Sequence, residues 1–548
     1  MPVLQSQIMK YGFVIDNRKC IGCHACTTAC KSEHDVAVGV NRTWVKQVEK
    51  GEFPNTRRLF SVMRCNHCTD APCVEICPVE ALFIRKDGIV DFDQDRCIAC
   101  KSCMQACPYD ALYIDPKTQA AAKCNYCAHR IDVGLEPACV NVCPEHAIIS
   151  GDMDNPESEI FQLLAKQPVS VRKPEKATVP NLFYINGDDA SLNPTSTDKG
   201  GDYLWNSQTS GVGHFAKEAE KLAFSNGDLV DALMQVNNQT ATTKEVLDKG
   251  NAKSIDVLMN KPRRVYDTPD KGILWGWEVT AYVTAKAISA GVVLVLFLGW
   301  LLNAGTLTAA LENWTVGLSL TFLTITGILL IMDLDQPSRF LYVLLRPQWK
   351  SWLVKGGYAI TIFGGLLTLW GAANWLEMTA MKSAIIWTTA ILAVIVAVYT
   401  AFLFAQAKGR DFWQSPTLPL HMVVHSLMAG SAAFLLIDTF IDFQTGWILF
   451  FKMMLTGSVA FNLVTLLTEL TITHPTKDAK TVVYMITKGQ YSRLFWAGVV
   501  TVGNVLPLVL LAVGGSPFLL PIASVLVLIG IYWTEHIWLE APQRIPLS

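Results

Sequence analysis

Residues 97–114 read CIACKSCMQACPYDALYI: three cysteines at three-residue steps, a fourth four residues further on, and a proline directly after it. Three thiolates so closely spaced grip three corners of one iron–sulfur cube, while the fourth reaches a neighbouring cube. The same run occurs at Cys20, Cys23, Cys26 and Cys30. Two variants widen one gap: Cys65, Cys68, Cys73 and Cys77 before Pro78, and Cys124, Cys127, Cys139 and Cys143 before Pro144. With Cys97, Cys100, Cys103 and Cys107, these groups use all sixteen cysteines of the 548-residue chain. A fourth cysteine that serves a neighbour forces the groups to work in pairs, so four [4Fe–4S] clusters are expected.

Structural zinc also uses C-x2-C pairs, but it needs two well-separated pairs rather than a tight triplet. The opening residues MPVLQSQIMKYGFVID contain no apolar signal core. The cysteines are therefore expected in a reducing compartment, which favours metal binding over disulfides. His24, His67, His129 and His146 lie among the cysteines, yet the thiolates fill every corner, so these are read as surface or packing residues. CPVEALFI (77–84), CPYDALYI (107–114) and CPEHAIIS (143–150) share one frame. In each, the proline is expected to begin a short helix and the apolar residues to form a strand. Arg64 and Lys123 each precede a cluster cysteine and are placed to raise local potentials.

CIGCHACTTACKSEH, RCNHCTDAPCVEICP, CIACKSCMQACPYDAL and KCNYCAHRIDVGLEPACVNVCP resemble the four-cluster electron-transfer subunits of molybdopterin oxidoreductases, among them dimethyl sulfoxide, polysulfide, tetrathionate and cytoplasmic sulfite enzymes. The resemblance implies an α+β ferredoxin-like domain of two pseudo-repeated dicluster modules over residues 1–185. It further implies that outer groups pair with each other and inner groups likewise. One ligand set is then Cys20, Cys23, Cys26 and Cys143, and a second Cys124, Cys127, Cys139 and Cys30. A third is Cys65, Cys68, Cys73 and Cys107, and the fourth Cys97, Cys100, Cys103 and Cys77. Some relatives replace a cysteine of the third group and hold a three-iron cluster; Cys103 is present here, so four cubanes are implied.

Residues 186–272 read as a polar connector. DDASLNPTSTDKGGDYLWNSQTSGVG has few residues able to form a core, and 214–260 has modest helical periodicity. Beyond it, residues 273–548 are expected to form an all-α membrane bundle. Apolar runs at about 278–302, 313–332, 352–376, 383–406, 418–441, 446–471, 493–514 and 517–540 each approach the ~20 residues that span hydrocarbon. Trp275, Trp277, Trp349, Trp352, Trp375, Tyr532 and Trp538 gather near their ends, as interface anchors do. Fifteen basic residues (Lys261, Arg263, Arg264, Lys271, Arg339, Arg346, Lys350, Lys355, Lys408, Arg410, Lys477, Lys480, Lys488, Arg493 and Arg544) fall on the side shared with the cysteines. Only Lys382 and Lys452 fall opposite. The positive-inside rule then turns the cysteine domain to the cytoplasm, on a multi-pass inner-membrane protein.

YVTAKAISAG, MDLDQPSRFLYVLLRPQWKSW and TKGQYSRLFWAGVVTVGNVLPLVL resemble the eight-helix anchors of polysulfide reductase and its relatives. Such anchors carry no haem and exchange electrons with a quinone, menaquinone or ubiquinone. In many relatives anchor and iron–sulfur protein are separate chains; here they are fused.

Ionisable groups inside spans are costly and invite a functional reading. Lys286 lies two turns into the first run, with Tyr282 one turn before it, and His421 and His425 share a face of the fifth. Asp333 ends the second run and Glu469 nears the end of the sixth. These six are the candidates for a quinone site on the cluster side. Structural alternatives stand beside them: His421 at the interface, Asp333 as a helix cap or a partner of Arg339, Glu469 in a buried pair. Asp438 and Asp442, near the far face, read as a loop edge or as part of a proton path.

The expected function is electron transfer and membrane anchoring between the quinone pool and a separate molybdopterin-containing catalytic subunit, since no segment here could hold a molybdopterin. This chain would carry only the quinone half-reaction. A proton-translocating redox module and a membrane-tethered iron–sulfur sensor are the alternatives, and four clusters in series argue against the sensor.

Overall fold

A computed structural model describes residues 9–51, 56–197, 262–441, 443–513 and 518–548. The helical periodicity noted at 214–260, Lys261 and Asp442 lie outside the described residues.

The N-terminal part is built from short strands and helices that leave room for cysteine loops. β1 (Tyr11–Asp16), β8 (Ile148–Asp152), β9 (Val169–Ser170) and β10 (Leu182–Ile185) form one sheet in the order β8-β1-β10-β9. β1 runs parallel to β10 and antiparallel to β8, so residues far apart in the chain close this outer module. The inner module holds two hairpins, β4 (Leu82–Ile84) with β5 (Val90–Phe92) and β6 (Tyr113–Asp115) with β7 (Ala120–Ala122). β2 (Thr43–Lys50) pairs antiparallel with β3 (Arg57–Arg64) along their whole length.

The strands follow the expected Cys-Pro frame, but the helix does not. The short helix Pro72–Ile76 ends at Cys77, and its counterpart Ser102–Ala106 ends at Cys107. The proline then opens a turn rather than a helix, and Glu80, Asp110 and His146, three residues past each cysteine, take positive φ. The physical reason is the sulfur. In the turn the following N–H groups point back at it, as Ala147 N does to Cys143 Sγ at 3.2 Å, whereas a helix would aim them along its axis.

The ends of the expected connector are also more ordered than their composition suggests. Asp189–Leu192 form a helical turn with Ala190, Ser191 and Leu192 buried, and Ser61 Oγ donates to Ser191 Oγ at 2.9 Å. On the other side, β11 (Arg263–Tyr266) extends the β2–β3 sheet. Trp44 Nε1 donates to the buried carboxylate of Asp267 at 2.7 Å, so this edge is a packed wall rather than a solvated link.

Eight helices among the described residues are long and apolar enough to cross a membrane. They are Trp277–Leu301, Ala309–Met332, Trp352–Trp375, Lys382–Gln406, Leu418–Ile437, Thr445–Thr471, Leu494–Val513 and Leu519–Gln543, here the first to eighth spans. Their order and limits follow the apolar runs closely. The fifth stops short, which leaves Asp438 as a cap whose Oδ1 accepts from Phe443 N at 3.2 Å. In the seventh, Leu494–Val505 is wound as a π-helix ahead of Pro507, and Asn504 Nδ2 donates to Val499 O five residues back.

The first and fifth spans form the centre of the bundle (78% and 72% buried), and the second and third its periphery (28% each). Gly291 and Gly430 set this core, because a Cβ on Gly291 would lie 1.9 Å from the Ser426 carbonyl oxygen and one on Gly430 would lie 2.2 Å from the Gly291 carbonyl carbon. Helix backbones approach this closely only where no side chain intervenes. Gly291→Val should therefore separate these spans at a cost of about 1–3 kcal/mol or more. Thermal unfolding of the detergent-solubilised protein checks this: the midpoint should fall, and an unchanged midpoint would contradict the packing.

Candidate functional site

The first to third spans begin or end beside the cysteine domain, which polar contacts from the segment before the first span and the loop between the second and third hold in place. Trp275 Nε1 donates to Cys100 O at 3.1 Å, and Ser351 Oγ donates to Ile76 O at 2.7 Å. Arg339 donates to the carbonyls of Gln94 and Cys97 (2.8 and 3.1 Å). Arg339 therefore grips the cysteine domain, instead of pairing with Asp333 as one sequence alternative had it.

Within that domain the four cysteine groups interleave. The residue before the second cysteine of each group, Gly22, His67, Ala99 and Tyr126, has φ between 43° and 72°. This left-handed step curls each loop so that its sulfurs face inward, and only one of the four positions is glycine. N–H groups then meet sulfur: Ala99 N and Ala121 N both donate to Cys97 Sγ at 3.3 Å. One cavity is lined by Cys20, Cys23, Cys26 and Cys143, and another by Cys77, Cys97, Cys100 and Cys103. The electrostatic neighbours of Cys30 are Cys124, Cys139 and Cys127, and those of Cys73 are Cys107, Cys65 and Cys68. Four sets of four sulfurs are thus brought together across the groups.

The sets also have an order. Cys26 of the first faces Cys139 of the second, Cys124 of the second faces Cys65 of the third, and Cys103 of the fourth faces Cys73 of the third. Cys23 is exposed at one end, whereas Cys100, at the other, abuts the membrane helices. None of the sixteen cysteines is in a disulfide. Burial pushes the thiols of Cys26, Cys100 and Cys127 up to about 12. Thiolates are kept at such sites only by cations, a description that fits iron.

His67 is fully buried and accepts from Val90 N at 3.1 Å, and His24 meets Tyr266 edge-on. His129 and His146 reach Glu33 and Glu159 at the surface. Sequence reasoning passed over His34, whose Nε2 lies 3.2 Å from Cys127 Sγ, and whose pKa burial lowers to about 4. Its place four residues after Cys30 was the available signal.

The six membrane candidates do not share one cavity. Tyr282 and Asp333 line a largely apolar cavity of about 210 Å³, together with Trp275, Tyr399 and Cys100. Lys286 lies behind that wall, with Nζ 2.6 Å from Thr400 Oγ1 and 3.0 Å from Ala397 O, and 4.7 Å from the Tyr399 ring centroid. The Tyr399 ring, which lines the cavity, is the element that links the lysine to it. Glu469 borders a different groove, lined by Phe412, Ser415 and His474. His421 and His425 face neither; they converge on Glu535 of the eighth span, at 3.6 Å and 2.7 Å. The single convergence expected around Lys286 and His425 is therefore divided, because the histidine-bearing face of the fifth span turns toward the eighth.

Glu535 was missed, although a carboxylate within the apolar run IYWTEHIWLE was a legible signal. The three ligand atoms lie within 4.8 Å of one another, but the 2.7 Å contact is a hydrogen bond, and the group reads as a His425–Glu535 hydrogen bond with His421 beside it rather than a cation site.

Residues 268–546, just over half the chain, match the family described as Polysulphide reductase, NrfD. The chain therefore belongs to that family. Its N-terminal part matches two 4Fe-4S dicluster domains, at 12–78 and 56–153. The N-terminal third of this NrfD-family chain is similar to a subunit of tetrathionate reductase from Salmonella typhimurium, with 44% identity over 34% of this chain and 76% of that protein. It is also similar to a chain of polysulfide reductase from Wolinella succinogenes (42% identity, 32% and 94%) and to protein NrfC of Escherichia coli (41%, 32% and 81%). The protein is thus an iron–sulfur protein fused to an NrfD-type multi-pass membrane domain, and its architecture is that of an electron relay at a membrane.

Replacing Glu535 by Leu removes the hydrogen-bond partner of the buried His425 imidazole at a cost of about 1–3 kcal/mol, whereas Glu535→Gln retains an acceptor and should cost less. Thermal unfolding of the two variants in detergent should rank them in that order.

Proposed function

We propose that this chain relays electrons through four [4Fe–4S] clusters between a quinone and a separate molybdopterin-containing catalytic subunit. The supporting observation is the cavity walled on one side by Cys100 and on the other by Tyr282, Tyr399 and Asp333. It sits where the last cysteine set meets the membrane helices. Thr361, an exposed residue of the peripheral third span, lines its outer wall, which gives a lipid-borne substrate lateral access.

When bound, the clusters supply one-electron transfer; the protein's residues do the rest. The sixteen cysteines hold the clusters in the sets Cys20/Cys23/Cys26/Cys143, Cys30/Cys124/Cys127/Cys139, Cys65/Cys68/Cys73/Cys107 and Cys77/Cys97/Cys100/Cys103. Tyr282 and Asp333 offer hydrogen bonds at the cavity wall, and reduction of a quinone to its quinol consumes protons that such groups can hand over. Lys286, held by Thr400, lies against the Tyr399 ring and backs the cavity wall. His421, His425 and Glu469 are not assigned to quinone.

The exposed Cys23 end is the docking end for the catalytic subunit. Relatives named as components of tetrathionate and polysulfide reductases support the existence of such a partner. The cysteine domain faces the cytoplasm across the inner membrane, because the loops that touch it carry the basic residues while Lys382, opposite, is neutralised by Glu312.

Two experiments test this reading. In the purified complex, Tyr282→Phe and Asp333→Asn should each slow quinol-dependent reduction of the clusters, followed by their visible absorbance, by about 100-fold. Reduction by dithionite should be unaffected, and equal rates with quinol would exclude the cavity. Independently, Cys73→Ser and Cys107→Ser should remove the same electron paramagnetic resonance signal, while Cys97→Ser removes a different one. Loss of different signals from Cys73 and Cys107 would break the assigned sets.

A further inference from the structure

Arg64 is the last residue of β3 and is fully buried. Its Nη1 donates to Cys139 Sγ at 3.1 Å, its guanidinium lies 4.5 Å from the Phe13 ring centroid, and Nε and Nη2 have no hydrogen-bond partner. It makes no salt bridge with a carboxylate among the described residues; its charged neighbours are Cys139, Cys124 and Cys26. Two of those belong to the second cysteine set and one to the first. An arginine carries its charge at all physiological pH, and a buried, unpaired one is expensive. Something anionic must compensate, and the guanidinium's one hydrogen bond and its charged neighbours are all cysteines of these two sets.

The other cations near the cysteines are distributed unevenly. Lys101, beside Cys100, pairs with Asp335 at 3.0 Å, and Lys271 pairs with Asp110 at 2.6 Å. Lys123, between the second and third sets, donates to the carbonyls of Val90 and Cys124 and pairs with no carboxylate among the described residues. The second set is thus flanked by two buried cations without acidic partners, and the fourth set by a neutralised one.

We propose that Arg64 is a positioning residue that sets the reduction potential of the cluster held by Cys30, Cys124, Cys127 and Cys139, and makes it the highest of the four. The inference rests on reading the cysteine sets as cubane sites. Reduction adds one negative charge to a cluster, and a fixed cation in a low-dielectric surround favours that state most strongly where it is closest. The relay then has its electron well in the middle, not at either end.

The test is a potentiometric titration of the purified complex, followed by electron paramagnetic resonance, for the parent chain, Arg64→Gln and Arg64→Lys. In Arg64→Gln the highest midpoint should fall by at least 59 mV, a tenfold change in a one-electron equilibrium. A second midpoint should fall less, and the remaining two should stay. Arg64→Lys keeps the charge and should shift the same midpoint by a smaller step. Where Arg64→Gln loses a cluster, the lysine variant alone decides. Four unchanged midpoints at full iron and sulfide content overturn the proposal, as do four that move together, since a structural disturbance would do that. A parent chain whose iron content falls short of four cubanes overturns the cluster reading instead.

Discussion

One amide in the eighth span holds the two halves of this protein in register. Gln543 Oε1 accepts from Gln105 Nε2 at 2.6 Å and from the backbone N–H groups of Leu274 and Trp275 at 3.0 Å. Its Nε2 donates to Trp275 O and Leu539 O. Arg410 locks the same point from the loop after the fourth span, donating to Gln105 Oε1 and to the carbonyls of Pro542 and Ile545. All of these groups but the half-buried Leu274 are buried, so most bonds lost would leave a polar atom without water, at about 1–3 kcal/mol each. Gln105 lies in the helix between Cys103 and Cys107. The lock therefore fixes where two cysteine sets stand relative to the membrane helices.

That registration creates the cavity. With Trp275 pinned to Cys100 O, the start of the first span runs beside the fourth cysteine set, and Tyr282 two turns on faces the same space as Asp333. The glycine contact between the first and fifth spans lets their backbones pack closely at the bundle centre. The thinly covered second and third spans leave the cavity wall next to lipid. A redox domain tethered by the chain alone would have no such fixed distance. The packed ends of the connector, Asp189–Leu192 and β11, make the fusion a joint rather than a leash.

The docking also changes the meaning of the basic residues. Arg264 pairs with Asp267 inside the iron–sulfur domain, while Arg339 and Arg410 are spent on buried carbonyl oxygens. They contribute to the interface first and to the charge asymmetry second. Conversely, the unpaired Arg64 and Lys123 stand out because so many of their neighbours are matched.

Sequence alone determined the cysteine groups, the α+β class of the first third, the eight spans and nearly all their limits. Each of these rests on local spacing or on a run of apolar residues, which a single chain segment carries entire. It also marked Arg64 and Lys123, since adjacency to a ligand is local. The tertiary structure decided the rest. A helix face is legible from i and i+4 spacing, but its partner is not, so His421 and His425 were placed with Lys286 when Glu535, over a hundred residues away, holds them. The Cys-Pro turns escaped for a related reason: proline permits a helix start or a turn, and the choice fell to a sulfur needing N–H donors. Only folding decided that Tyr282 and Asp333, alone of the six candidates, would line the cavity beside Cys100, because that placement depends on an amide lock between residues 438 positions apart.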